Sequence, residues 1–265
     1  MNKQNQITPF TDDVYEHPFG ERIKLLMRLE IIFKQAIEHQ KARDQYETQM
    51  CLNALFALLS ITNRYELRLV MLKELERIQG ILLQLKDLDE VSKGKVTKTL
   101  EELNHCKKVL HSLDSKHIDR LRNIEFLNTI KLRNIHETGS YLFEIPELQY
   151  WLLQSQEQRA KQIQQWLDDF TPFRETTDFL LHLIRDSAHT EDCIATNGVY
   201  IKTVSNKSNI HQLLRIKING NNNVYPSISG DGYRFVIRFM QHEQVDKRAK
   251  QATGDIEFSL EACGI

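Results

Sequence analysis

Two arginines four positions apart, in the run Arg234-Phe235-Val236-Ile237-Arg238-Phe239-Met240, are the residues of this chain best placed for recognition chemistry. The run alternates with period two, the pattern of a half-buried strand, and Asp231-Gly232 before it offers the positive-φ residues of a tight hairpin. Phe235, Ile237 and Phe239 then fall on the buried side, and Arg234, Val236 and Arg238 on the other. Four strand residues span roughly 13 Å, a gap that two long guanidinium side chains narrow around an acidic ligand. A solvated polar face has the same pattern, so this strand alone leaves both readings open.

The neighbouring residues favour binding. Leu214, Ile216 and Ile218 alternate with Arg215 and Lys217 in the same way. Between Ile194 and Met240 stand Lys202, Lys207, Arg215, Lys217, Arg234 and Arg238 against a single acid, Asp231, a local excess of five positive charges in a chain of net charge −1. Such segregation predicts a basic face for a partner carrying carboxylates or phosphates. An acidic polypeptide and a single-stranded RNA both fit that description. RNA binding asks for stacking aromatics on the basic face, whereas Phe235 and Phe239 alternate to the opposite one.

Other chemistry is poorly supplied. The phosphate-binding, dinucleotide-binding, nucleophile-elbow and zinc-protease signatures are all missing, so the sequence predicts a protein that is not an enzyme and needs no cofactor. His182 and Asp186 lie one helical turn apart and His189 lies four before Cys193, but neither pair has a third member, and adjacent His105-Cys106 point apart on a helix; no metal site is expected. Cys51, Cys106, Cys193 and Cys263 are widely spaced, which reads as reduced, cytosolic thiols. The polar first residues lead to no long apolar stretch, and no apolar run approaches ~20 residues, so a cytoplasmic protein without a secretory signal is expected. With 265 residues and almost no net charge, the chain can build a sizeable core and has no general affinity for nucleic acid or membrane.

The scaffold expected for these residues is α+β: an N-terminal all-helical domain over residues 1–190, with a flexible arm at 1–14, then a small antiparallel β domain over 191–265. Glu16-His17-Pro18 reads as the opening of a first helix, with a stripe of Phe19, Ile23, Leu26, Phe33 and Ile37. Arg28 stands in this apolar helix as an ion-pair or snorkelling residue, or as a ligand contact. A second helix over 44–61 points Tyr46, Met50, Leu55, Phe56 and Leu59 inward. A third, over 65–85, carries a near-heptad seam through Leu67, Met71, Leu75, Ile78, Leu82 and Leu85, suited to lengthwise packing on another helix. A fourth follows over 95–113. Asp114-Ser115 caps a fifth that runs to Asn134, with Arg122, Thr129 and Arg133 on one stripe and Lys131 nearby, a locally basic stretch. Tyr141-Leu142-Phe143 allows a short strand, and helices start at Pro146, at Ser155 and near Pro172. Beyond Ala188, strand-like runs occupy 194–204, 211–218, 224–229, 233–242 and 255–262, the middle three expected as an antiparallel meander, with Pro226 on an edge strand or at a bulge.

Several stretches, in order, resemble the ZapD family of cell-division proteins: Glu16-His17-Pro18, Arg28-Leu29-Glu30, Leu72-Lys73-Glu74-Leu75, Leu148-Gln149-Tyr150-Trp151-Leu152, Leu183-Ile184-Arg185-Asp186-Ser187-Ala188, Asn197-Gly198-Val199-Tyr200, Tyr225-Pro226-Ser227-Ile228-Ser229-Gly230, the arginine strand itself, and Phe258-Ser259-Leu260. The resemblance implies a homodimer that binds the C-terminal tail of the tubulin-like division protein FtsZ, cross-links and bundles its filaments, and promotes Z-ring assembly and septation at midcell. It further implies a basic pocket mapping onto Arg28, the Arg122 to Arg133 helix, and Arg234 and Arg238. Arg215 joins the candidate set from the charge pattern.

Overall fold

The computed structural model describes residues 14–64, 66–86, 93–114, 118–134, 142–204, 210–218, 223–242 and 246–265. Of the expected features, the arm up to residue 13, Ser115, Tyr141, Lys207 and the asparagine run up to 222 lie outside these residues. In chain order the described elements are β1 (Val14–Pro18), α1 (Glu21–His39), α2 (Gln45–Arg64), α3 (Leu67–Lys86), α4 (Lys93–Ser112), α5 (Asp119–Arg122), α6 (Glu125–Asn134), α7 (Pro146–Leu152), α8 (Gln156–Asp168), α9 (Thr171–Asp186), β2 (His189–Ala195), β3 (Val199–Thr203), β4 (Leu213–Ile218), β5 (Val224–Gly230), β6 (Arg234–Gln241), β7 (Lys250–Gln251) and β8 (Ile256–Cys263). The class is α+β, as the sequence predicts. By compactness the chain divides into residues 27–179 and residues 1–26 with 180–265.

The first of these units is helical. Asp44 caps α2, its carboxylate accepting from the Tyr46 and Glu47 amides at 2.8 Å. Cys51, Leu52, Leu55, Leu58 and Leu59 form the buried stripe of α2. Tyr46 and Met50, expected inward, are exposed because they fall outside that 3.6-residue phase. The near-heptad of α3 is used within the chain: α3 runs along α4, with Leu67, Met71, Leu75, Ile78 and Leu82 buried. The Gln79 amide donates to Asn104 at 3.0 Å and Lys107 donates to Gln79 at 2.9 Å along the same seam. The fifth helix is not continuous. It breaks at Asn123-Ile124 into α5 and α6, and the Asn128 side chain donates to the Arg122 carbonyl at 2.6 Å across the break. Instead of a strand, Leu142–Glu144 make a single 3-10 turn ahead of α7, which has Pro146 in its first turn. Ser155 and Gln158 form a capping box at the start of α8. Trp151, Trp166 and Phe126 pack against one another with tilted rings, their centroids 5.5–6.2 Å apart.

The second unit is built on two four-stranded antiparallel sheets, one ordered β1-β4-β8-β2 and one ordered β3-β6-β5, with β7 beside β6. Their inner faces share one core: Leu214, Ile216, Phe258 and Leu260 from the first, Phe235, Ile237 and Phe239 from the second. Phe258 touches both Phe239 (5.0 Å between ring centroids) and Tyr200 (5.3 Å). Three expectations need correction here. Glu16-His17-Pro18 is edge strand rather than helix; Pro18 ends β1, where its missing N–H costs no ladder bond, and the helix begins only after Gly20. The 194–204 run is two strands, β2 and β3, folded at Asn197-Gly198, both with positive φ. The meander fails because β4 pairs with β1 and β8, not with β5. Alternation identifies a strand's buried face but not its neighbours, and β5, the next strand in the sequence, belongs to the other sheet.

Candidate functional site

The β5–β6 hairpin holds the two arginines in place. Gly230 has φ +120, and a Cβ there would collide with the Arg234 carbonyl and the Phe235 backbone. Asp231 closes the turn: its carboxylate accepts the Tyr233 and Arg234 amides at 2.8 and 2.9 Å. Those two backbone donors pull the Asp231 carboxyl below its usual range. From this turn β6 buries Phe235, Ile237 and Phe239 completely and turns Arg234 and Arg238 outward, both exposed. Neither forms an ion pair among the described residues. Arg238 Nη1 donates to Ser229 Oγ at 3.4 Å, which leans it along the strand toward Arg234. The aromatic residues of β6 are sequestered in the core and offer no stacking surface to a base.

Arg215 belongs elsewhere. The inner faces of the two sheets pack together, so the outward residues of β4 and of β6 face opposite sides of the sandwich. The single basic face expected from the 194–240 charge excess is therefore divided. Arg215 lies directly between Glu16 on β1 and Glu261 on β8. Its Nε donates to Glu16 at 3.0 Å and its Nη1 to Glu261. Arg185, at the end of α9, grips the same Glu16 with two donors at 2.8 and 2.7 Å. The result is a row of alternating charges, about a fifth exposed at Glu16 and Arg215. Lys202 points inward at the other end and donates to Glu191 at 2.6 Å, holding that carboxyl below its usual range. Lys217 is exposed on the face of Arg215.

The helical unit contributes cations of two kinds. Arg28 on α1 is exposed, as is Arg133 at the end of α6, while Lys131 is half-buried; none of the three has an ion-pair partner among the described residues. Arg122 is instead committed to Asp119, one turn back on α5, at 2.8 Å. The break at Asn123 removes Arg122 from the stripe it was expected to share with Arg133. Arg159, which no motif singled out, is a buried cation: it donates to the carbonyls of Leu152, Gln154 and Ala42 and clamps the turn after α1 against the end of α7. A cleft in this unit is lined by the apolar Phe33, Ile37, Leu167 and Phe170 together with Gln40, Gln164 and Arg174.

Among the described residues there is no cluster of His, Cys, Asp and Glu suited to a metal ion, and no helix is long and apolar enough to cross a membrane. Comparison with known proteins matches residues 27–238 to the family model of the cell division protein ZapD. The cell division protein ZapD of Aromatoleum aromaticum is 31% identical over 251 residues, covering 95% of this chain and 97% of its own. Those of Azoarcus sp. and Coxiella burnetii are 30% and 29% identical, covering 94% and 96% of this chain and 98% and 99% of theirs. With the family model spanning most of the chain and full-length relatives at this identity, the protein is a member of the ZapD family of cell division proteins.

Proposed function

We propose that this protein is a non-catalytic adaptor that binds the C-terminal tail of FtsZ through exposed arginines and, as a homodimer, cross-links FtsZ filaments into bundles at the division site of the cytoplasm. The observation that carries this reading is the pair Arg234 and Arg238, placed on a strand, open to solvent and without an ion-pair partner among the described residues. Arg28, Lys131 and Arg133 are assigned as further tail contacts. Arg122 and Arg215 are assigned to the fold, since their charge is already matched by Asp119 and by Glu16 with Glu261.

Mechanistically, one exposed ion pair contributes about 0–1 kcal/mol, so a single tail is held weakly and in a salt-dependent manner. Two-fold symmetry duplicates the site, and many weak tail contacts along two filaments sum by avidity. Bundling then depends on bivalence more than on single-site affinity. The test is co-sedimentation of FtsZ filaments with parent and Arg234→Ala/Arg238→Ala protein. Loss of bundles with an unchanged solution mass is expected; bundles as abundant as with the parent would refute the assignment.

A further inference from the structure

We infer that the outer face of the β3-β6-β5 sheet recognises an acidic peptide in which an apolar side chain stands between two carboxylates, with Ile201 and Val236 as the apolar seat between Arg234 and Arg238. This rests on the reading of that face as the tail site, and it adds the side-chain pattern being read.

The strand register defines three rows on the face. Arg234 stands beside Thr203, Val236 lies between Ile201 and Ser229, and Arg238 lies between Val199 and Ser227. Residues directly opposite each other in an antiparallel pair project to the same side, so Ile201 and Val236 share the middle row with Ser229. Ile201 is 57% exposed, an apolar side chain held on an open face between two cations. The Arg238 guanidinium reaches Ser229, a member of that middle row, and so overhangs the apolar seat. An extended peptide lying along β6 presents every second side chain to the sheet. Its positions i, i+2 and i+4 therefore meet Arg234, the Ile201–Val236 pair and Arg238 in turn: acid, apolar, acid. Charge complementarity selects this occupant over a neutral apolar segment, because two guanidiniums without an ion pair among the described residues flank the seat. A polyanion without an apolar group would use the arginines alone and ignore Ile201.

The test measures binding of two fluorescent probe peptides at low ionic strength, one with Glu-Ser-Leu-Ser-Glu at its centre and one with Glu-Ser-Ser-Ser-Glu. Full-length parent, Ile201→Thr/Val236→Thr and Arg234→Ala/Arg238→Ala proteins are compared. Threonine keeps the β-branched preference of the strand, and circular dichroism checks the fold. The parent should bind the leucine peptide about five- to tenfold more tightly, the effect of burying part of one leucine. The threonine variant should bring the two peptides within about twofold while leaving the serine peptide's affinity and salt dependence as in the parent. The arginine variant should weaken both peptides and flatten the salt dependence. If the parent fails to discriminate, or the threonine variant keeps the full ratio, while the arginine variant still weakens both, the inference fails and the tail-site reading stands. If the arginine variant binds both peptides like the parent, the reading of the face itself fails. A threonine variant of altered solution mass would assign the face to a second copy and also overturn the inference.

Discussion

Replacing Glu16 by glutamine removes the charge that Arg185 and Arg215 share while keeping the side chain's size. The parent carboxylate accepts three guanidinium N–H groups at 2.7–3.0 Å. An exposed pair contributes about 0–1 kcal/mol, and breaking a fully buried one costs about 3–5 kcal/mol. Glu16 is 19% exposed and Arg215 and Arg185 are 21% and 22% exposed, which places this group between those limits. Discounted for solvent screening, the substitution should destabilise the β unit by about 2 kcal/mol. With urea slopes of about 1–3 kcal/mol per molar, the unfolding midpoint should fall by about 1 M. The measurement is urea-dependent hydrogen exchange of β4 and β8 amides, because the two tryptophans lie in the helical unit and would not report on this one. Arg215→Met and the double variant complete a cycle whose coupling should be about 1 kcal/mol. A Glu16→Gln midpoint indistinguishable from the parent, with additive behaviour in the cycle, would show that the charge row is solvated decoration. Arg215 would then be as available to a partner as Arg234.

Gly230→Ala should cost the hairpin at least about 2 kcal/mol, since the new Cβ meets the Arg234 carbonyl at a positive φ; thermal unfolding monitored by circular dichroism reads this. Burial lowers the pKa of both His17 and His211, with Lys24 and Lys202 adding to it. The unfolded chain therefore takes up protons near pH 6.5 before the folded one does, so stability is fully present above that pH and falls as pH drops through it. Melting temperatures from pH 7.5 to 5.5 should decline in the parent and decline less in His17→Phe/His211→Phe. Burial also pushes the Cys51 thiol up to about 12 and the Cys263 thiol up to about 11, so iodoacetamide at pH 8 should label both only on unfolding, as peptide mass mapping will show.

Periodicity alone made the α+β class, most helices and the buried face of β6 legible, because side-chain alternation is a local property of the backbone. The β5–β6 hairpin was legible for the same reason, but its positive φ falls on Gly230 rather than on Asp231-Gly232, because Asp231 closes the turn through its carboxylate. The Asn197-Gly198 turn carried an equally local signal in a run that reads as one strand. What tertiary structure decided was which strands become neighbours and which cations have no ion pair among the described residues. Arg215 and Arg234 look alike in sequence, each alternating with buried residues. Only the pairing of β4 with β1 and β8 brings Glu16 and Glu261 against Arg215, while β6 brings Thr203 to Arg234 and Val199 and Ser227 to Arg238. Whether a charge is spent in the fold or left for a partner depends on residues up to 199 positions away, because Coulomb interactions act through space rather than along the chain.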